Sequence, residues 1–393
     1  MIFNEFKNDK LSLLGMGCMR LPTSEDGKID KEKTREMVAL AIENGVNYFD
    51  TAYPYHNGES ELVIGEILSE YPRESYYLAD KFPGHQISSS YDPATVFEDQ
   101  LKKCRVDYFD YYLLHNVYEN SINTYKDSRW GIIDYFREQK KNGRIKHLGF
   151  STHGSIEIMK EFLDEFASDM EFCQIQLNYL DWTLQSAKEK CELLASCNIP
   201  IWVMEPVRGG KLANLNEADT AKLKSLRPDE SVAAFAFRFL QSVPNVKMIL
   251  SGMSNKAQLE DNLKTFSSPL PLSKAETDIL LEIAEGMKSS VPCTACGYCL
   301  EGCPMQINIP RMLEFYNEMA IAPTTNITMR IDALPESSRP SACIGCGLCA
   351  ATCPQGIDIP KYLSELVNMS EKLPSWEEIS RQREQAAKRL RGE

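Results

Sequence analysis

Cysteine is the residue whose spacing carries the most chemistry in this chain. Cys293-x2-Cys296-x2-Cys299-x3-Cys303-Pro304 is followed downstream by Cys343-x2-Cys346-x2-Cys349-x3-Cys353-Pro354. Three thiolates at every third position sit on one short loop and wrap one side of a cubane. The more distant fourth cysteine must swing round or reach a neighbouring cluster. This is the ligand run of [4Fe–4S] clusters. Zinc takes CxxC pairs separated by a loop rather than triplets. Because the run occurs twice, the sequence predicts two [4Fe–4S] clusters held by these eight cysteines, and a protein that handles electrons.

A second set of reactive side chains lies far upstream. Asp50, Tyr55, Lys81 and His115 each stand at or just beyond the end of a short apolar run: VNYFDTA (46–52), SYYLADKF (75–82) and DYFDYYLLH (107–115). A charge closing a buried run is costly unless it is paired, and Asp50 and Lys81 can pair across neighbouring strand ends. A free phenol with a pKa near ~10 is a poor acid at neutral pH, and an adjacent ammonium lowers it by favouring the phenolate. Tyr55 beside Lys81 is therefore a candidate acid, with His115 placed to orient a carbonyl oxygen. Taken singly, each residue reads as a cap, a loop ion pair or rim packing. Four in order across successive strand ends are much less readily accidental.

The elements that must position these groups repeat along the first two thirds of the chain. Besides the three runs above, candidate strands fall near Leu13–Met19 and at 145–151, 172–179, 199–206 and 246–253. Between them lie amphipathic helical stretches at 31–44, 59–70, 94–104, 129–142, 155–166, 184–196, 231–241 and 256–263, with Gly45, Gly143 and Asn198 where C-caps would fall. Eight strand–helix units with nearly continuous apolar strands predict parallel strands buried on both faces, an α/β (β/α)8 TIM barrel over residues 1–270. An open doubly wound sheet would normally bring a glycine-rich dinucleotide fingerprint, and none is present. Residues 271–393 then read as a linking helix (273–288) and a small, mainly α-helical two-cluster iron–sulfur domain with a charged helical tail. Within it, CTACGYCLEGCPMQINIPRMLE repeats as CIGCGLCAATCPQGIDIPKYLS at an offset of fifty residues.

Bulk properties narrow the class. The chain has 393 residues, 43% hydrophobic and 25% charged, ordinary values for a globular protein. A net charge of −13 argues against a nucleic-acid or anionic-membrane partner. The N-terminal MIFNEFKNDKLSLLGMG lacks a signal peptide's basic region and apolar run, and no stretch has the length of a membrane span. Of the thirteen cysteines, the five outside the motifs (Cys18, Cys104, Cys173, Cys191, Cys197) read as reduced core residues. A cytoplasmic protein is expected.

The segment GVNYFDTAYPY (45–55), the lysine of LADKF, the histidine of LLHN, LGFS (148–151) and QLN (176–178) resemble the aldo-keto reductase family across roughly residues 10–265. The fusion resembles the subgroup with a C-terminal 4Fe–4S dicluster ferredoxin-type domain. By that resemblance Asp50, Tyr55, Lys81 and His115 are a catalytic tetrad. Tyr55 is its proton donor, Lys81 and Asp50 tune it, and His115 orients the carbonyl. Ser151, Gln176 and Asn178 match positions that hold the nicotinamide carboxamide, and GMSNKAQLEDN (252–262) resembles the segment gripping the adenosine phosphate, with Gly252, Ser254, Gln258 and Asn262 as contacts. The implied cofactor is NADP or NAD. Gln258 stands where NADP-preferring members often carry arginine, and a neutral amide offers no charged fork to a 2′-phosphate. Where many members stack an aromatic on the nicotinamide, this chain has MEPVRGGKL (204–212), with Trp182 as a substitute and Arg208 and Lys211 as pyrophosphate contacts, or as ordinary packing and loop residues.

The expected function is thus NAD(P)-dependent reduction of a small aldehyde or ketone, with the clusters exchanging electrons with the substrate or a redox partner. The alternatives are a working reductase whose clusters are structural or dock it in a redox complex, and an electron carrier whose barrel binds nucleotide without turnover. A hydride carries two electrons and a cubane normally exchanges one, and no flavin motif bridges that mismatch. The loops at 83–92 and 116–129 name no substrate, although His85 and His153 stand near the expected mouth.

Overall fold

The computed structural model describes residues 1–84, 92–287, 291, 293 and 295–391; His85 lies outside the described residues. The chain divides into two compact units, 1–280 with 385–393, and 281–384. The division falls inside the helix Lys274–Met287, which the sequence reading placed wholly after residue 270.

The first unit opens with an antiparallel hairpin, β1 (Phe3–Phe6) and β2 (Asp9–Ser12). Eight parallel strands follow: β3 (Leu14–Gly17), β4 (Tyr48–Asp50), β5 (Tyr77–Phe82), β6 (Phe109–Leu114), β7 (Ile145–Thr152), β8 (Cys173–Gln176), β9 (Ile201–Met204) and β10 (Val246–Ser251). They close as β10-β3-β4-β5-β6-β7-β8-β9, each paired in parallel with its neighbour and followed by helical segments. The eight apolar runs are these strands, trimmed by one to three residues at most ends. Gly45, Gly143 and Asn198 adopt left-handed backbone at the helix ends where C-caps were expected.

The hairpin was not anticipated. It packs Phe6 and Leu11 into a buried cluster with Tyr48, Tyr111, Phe172, Trp202 and Met248. In the same unit Gly149 is required by close approach, since a Cβ there would lie 2.5 Å from the Phe172 carbonyl oxygen. The helix Glu217–Leu226 was also not foreseen.

The second unit is helical. Helices Ile309–Ile321 and Ile359–Ser370 follow the two cysteine runs, capped by Asn308 and Asp358 at equivalent places in the repeat. Their apolar faces form one core with Ile307, Ile357, Cys299 and Cys349. The tail is the helix Trp376–Arg391. Among the described residues, no helix is long and apolar enough to cross a membrane.

Candidate active site

In a parallel barrel the loops after the strands' C-terminal ends build one rim. Asp50 ends β4, Lys81 is the penultimate residue of β5, and His115 follows β6 directly. Tyr55 sits on a one-turn 3-10 segment, Tyr55–Gly58. The next two residues, His56 and Asn57, have positive φ, and His56 Nε2 accepts the Leu21 N–H at 3.1 Å, which fixes this tight turn.

The structure brings Asp50, Tyr55, Lys81 and His115 together. Lys81 is fully buried, and its Nζ donates to Asp50 Oδ1 at 2.6 Å, to the Thr51 carbonyl at 2.6 Å and to the Tyr55 hydroxyl at 3.2 Å. An ammonium has three N–H donors and no acceptor, so these contacts use it fully and leave Tyr55 oxygen as the acceptor. The Tyr55 proton is then directed elsewhere, and Tyr55 lines an open cleft. The His115 ring meets the Tyr55 ring edge-on at 6.1 Å between centroids. The Lys81 carbonyl is held from the helix layer by Gln100 Nε2 at 3.1 Å, which also bonds Glu61, itself paired to Lys103. A buried polar network thereby braces the strand end that carries the lysine.

The electrostatics differ from expectation in one respect. Burial raises the Tyr55 phenol above its ordinary range, and Lys81 pulls it back only in part. Burial opposes the charge on Lys81, but Asp50 and Tyr55 outweigh it and its pKa stands above that of a free lysine. Asp50 is raised by burial, with Lys81 opposing, and its Oδ2 has no hydrogen-bond partner among the described residues.

The cleft opens to solvent at the rim beside Asp50 and Tyr55. Gly252, Ser254, Gln258 and Asn262 all line it, as do Gly209 and Gly210. Gln258 Oε1 accepts the Ser254 N–H at 2.8 Å, and Asn262 donates to Ser251 Oγ at 3.0 Å. Arg20 and Glu205 reach toward each other at the cleft, 4.0 Å apart.

The remaining expected contacts are placed differently. Ser151 is buried, with Oγ accepting the Asn116 N–H at 2.8 Å. Asn178 spends its whole amide inside the protein: Nδ2 donates to Asp181 and to the Glu205 carbonyl, and Oδ1 accepts the Leu180 and Asp181 N–H groups. Gln176 Nε2 also donates to Asp181, at 2.8 Å, and the buried Arg208 guanidinium pairs with the same carboxylate. Asp181, which the sequence reading passed over, is the hub that ties the end of β8 to the loop after β9. Trp182 packs edge-on to Phe239, Lys211 is exposed, and His153 is half-buried on Asn116. None of these three is among the cleft-lining residues.

Gln174 was missed. It is 3% exposed, lines the cleft two residues before Gln176 on the same face of β8, and stands beside Ser151 in the sheet. Its Oε1 has no hydrogen-bond partner among the described residues. The inward parity of β8 was the available signal, because Gln174 and Gln176 share it.

In the second unit, two small cavities divide the motif cysteines between them. One is lined by Cys293, Cys296 and Cys299 of the first run and Cys353 of the second. The other is lined by Cys343, Cys346 and Cys349 with Cys303 of the first. Each collects three thiols from one run and the distant fourth from the other, the ligand exchange that two-cluster ferredoxins use. The donor set fits a pair of cubanes. Burial raises the Cys299 thiol to about 11, and it must lose that proton to bind iron. Four of the other cysteines are buried and Cys197 is half-buried, all with free thiols.

A model of the aldo/keto reductase family matches residues 13–285, and one of a 4Fe-4S dicluster domain matches residues 292–357. Similar curated proteins include the uncharacterized oxidoreductase YqkF of Bacillus subtilis, 25% identical over 65% of this chain and 87% of its own. The NADH-specific methylglyoxal reductase of Escherichia coli is 22% identical over 71% of this chain and 96% of its own. Among solved structures, the holo form of aldo-keto reductase AKR11C1 from Bacillus halodurans matches with a TM-score of 0.58 at 24% identity, over 72% of this chain and 96% of that one. That likeness supports the fold.

Proposed function

The chain belongs to the aldo/keto reductase family and is an oxidoreductase, and from that footing we propose that it reduces the carbonyl of a small aldehyde or ketone to the alcohol, with Tyr55 as proton donor. The observation that carries the reading is the hydrogen-bonded row Asp50–Lys81–Tyr55 opening onto a cleft. A reduced nicotinamide held in that cleft, lined by Gly252, Ser254, Gln258 and Asn262, would supply hydride to the carbonyl carbon. Tyr55 gives its proton to the carbonyl oxygen, while Lys81 stabilises the phenolate left behind and Asp50 holds the ammonium in place. His115, edge-on to Tyr55, orients the carbonyl oxygen. Gln174, beside Ser151, is the residue we assign to the carboxamide, and Gln176 and Asn178 act through Asp181 on the walls of the site.

We read the coenzyme as NADH in preference to NADPH. The residues of the 252–262 segment that line the cleft include the neutral Gln258 and the Asp261 carboxylate and no arginine, and the nearby Arg20 stands 4.0 Å from the Glu205 carboxylate. The eight motif cysteines hold two [4Fe–4S] clusters that pass single electrons to or from a redox partner. Tyr298 lies two residues from the exposed Cys296, and Ile344 and Leu348 lie two residues either side of the exposed Cys346; at 67%, 65% and 53% exposed they are apolar side chains suited to contact with another protein. Cysteine use supports a cytoplasmic setting.

Tyr55→Phe tests the central claim. Carbonyl reduction should fall roughly 10²–10⁴-fold, with coenzyme affinity by fluorescence titration unchanged. Near-normal turnover by the variant, or no carbonyl reduction by the wild-type protein across a panel of small aldehydes and ketones, would sink the reading.

A further inference from the structure

The register of β5 and β6 fixes where their ladder should continue, and a side chain stands there instead. Lys81 pairs with Leu113 and Phe82 with Leu114, and the Phe82 carbonyl accepts the His115 N–H at 3.0 Å. In a parallel ladder of that register the next rung would run from the Gly84 N–H to the His115 carbonyl. The Tyr125 hydroxyl occupies that rung. It accepts the Gly84 N–H at 3.1 Å and donates to the His115 carbonyl at 2.8 Å, so two bonds through an oxygen replace one direct bond. The Phe82 carbonyl is more distant from the hydroxyl, at 3.2 Å. Beyond this point the chain after β6 leaves β5. The Val117 N–H bonds the Ser151 carbonyl of β7 at 2.7 Å, and Asn116 before it has a left-handed φ.

Tyr125 fits that position closely. It is 2% exposed and rides on the short helix Ile122–Lys126 in the loop after β6. Burial holds its phenol well above the ordinary range, so the hydroxyl keeps the proton it donates. Gly84 makes room for the ring, since a Cβ there would lie 2.4 Å from Tyr125 Cε1 and 2.5 Å from Cζ. The hydroxyl also satisfies two backbone groups that the parted strands cannot offer each other. Its place links it to the tetrad. Lys81 lies on one arm of the wedge, three residues before Gly84, and His115 stands on the other. Lys81 reaches the Tyr55 hydroxyl, and the His115 ring meets the Tyr55 ring edge-on at 6.1 Å. The width of the wedge therefore sets how far the histidine stands from the lysine–tyrosine pair.

We infer that Tyr125 is a positioning residue for the reaction, its hydroxyl wedging β5 and β6 apart at the rim so that His115 is held at its working distance from Tyr55. This rests on the carbonyl-reductase reading above, and the test separates the two. In the full chain, Tyr125→Phe keeps the ring and removes the hydrogen bonds of the wedge. The kcat for carbonyl reduction should fall about 10–100-fold, the cost of a small misplacement at a reacting centre, with coenzyme affinity unchanged by fluorescence titration.

Imidazole NMR signals give a readout independent of turnover. The chain has five histidines, and the set lost in His115→Gln assigns His115. Tyr125→Phe should move the His115 signals and leave in place those of His147, which Asp9 and Glu171 hold. Gly84→Ala drives a methyl group into the Tyr125 ring, and it should move the same signals and lower kcat in the same direction. It stands in where Tyr125→Phe fails to fold. Unmoved His115 signals, a near-normal kcat, or His147 and coenzyme affinity changing along with His115 would overturn the inference. A wild-type protein inactive toward carbonyls, with His115 still moved by Tyr125→Phe, would overturn the proposed function and leave Tyr125's hold on His115 standing.

Discussion

At the scale of single residues, the site is governed by a count of hydrogen-bond donors. Lys81 has three, and the structure spends them on Asp50, the Thr51 carbonyl and Tyr55. The identities of Asp50, Tyr55, Lys81 and His115 were legible because a charged or phenolic group closing an apolar run is costly to bury and must find a partner or a use. The direction of Tyr55's shift was not, because it is the difference between two opposing effects. Lys81 lowers the phenol pKa, burial raises it, and the depth of burial appears only once the chain is folded. The pH dependence follows. With Tyr55 as the proposed acid, reduction would need its protonated form, and a raised pKa would move the loss of that form to higher pH. The kcat for reduction should stay flat through neutrality on the Tyr55 limb and fall only above about pH 10, the ordinary phenol value. A kcat profile with an upper limb between about pH 7 and 8 would show that Lys81 prevails after all. Gln174 escaped notice for a related reason: a glutamine inside an apolar run gains meaning only from the register that sets it beside Ser151.

At the scale of elements, strands were easier to read than their company. A β/α barrel strand is buried on both faces and announces itself as an apolar run. The hairpin β1–β2 has only four residues per strand, too few for alternation to be distinguished from a loop, and its role emerges from distant partners such as Tyr111, whose hydroxyl donates to Asp9. The helix Lys274–Met287 illustrates what a local signal can carry. Ser273 and Glu276 form a capping box, with the Ser273 N–H on Glu276 Oε2 at 2.7 Å and the Glu276 N–H on Ser273 Oγ at 3.2 Å. The same carboxylate takes a two-pronged pair from Arg227, at 2.5 and 2.9 Å, which anchors the helix to the barrel unit. Arg227, helped by Ser273, lowers Glu276 from an ordinary value of 4.5 to about 2. A depressed carboxylate contributes stability that is present above its unfolded pKa and lost as pH falls through the folded one. Glu276→Gln keeps the capping geometry and removes the charge. It should cost about 1–2 kcal/mol in urea unfolding at pH 7, a value for a well-formed, partly exposed pair. The cost should shrink as the pH is lowered from about 4.5 toward 2, and a pH-independent difference would place the effect in packing.

At the scale of the whole molecule, the two units hold themselves together by different means. The barrel closes its sheet around a buried, largely apolar interior. The unit 281–384 places its reactive groups inside its core: Cys299 and Cys349 are buried among Ile307, Met312, Phe315 and Leu363, with Cys293, Cys303, Cys343 and Cys353 packed against them. Thiols that form part of the core make iron binding a share of folding free energy. The exchange of the fourth cysteine between cavities would make each of the two proposed cubanes a cross-link between the two halves of the repeat. Stripping iron anaerobically with a strong chelator should therefore expose the helices Ile309–Ile321 and Ile359–Ser370 to hydrogen exchange together, not one after the other. The amides of β3 to β10 should stay protected, and NADH-dependent carbonyl reduction should persist at close to its starting rate. Sequential loss of protection in the two helices would argue that each cluster is bound by its own motif alone. Carbonyl reduction falling in step with iron would instead make the clusters part of the catalytic circuit, and the electron they store a participant in turnover.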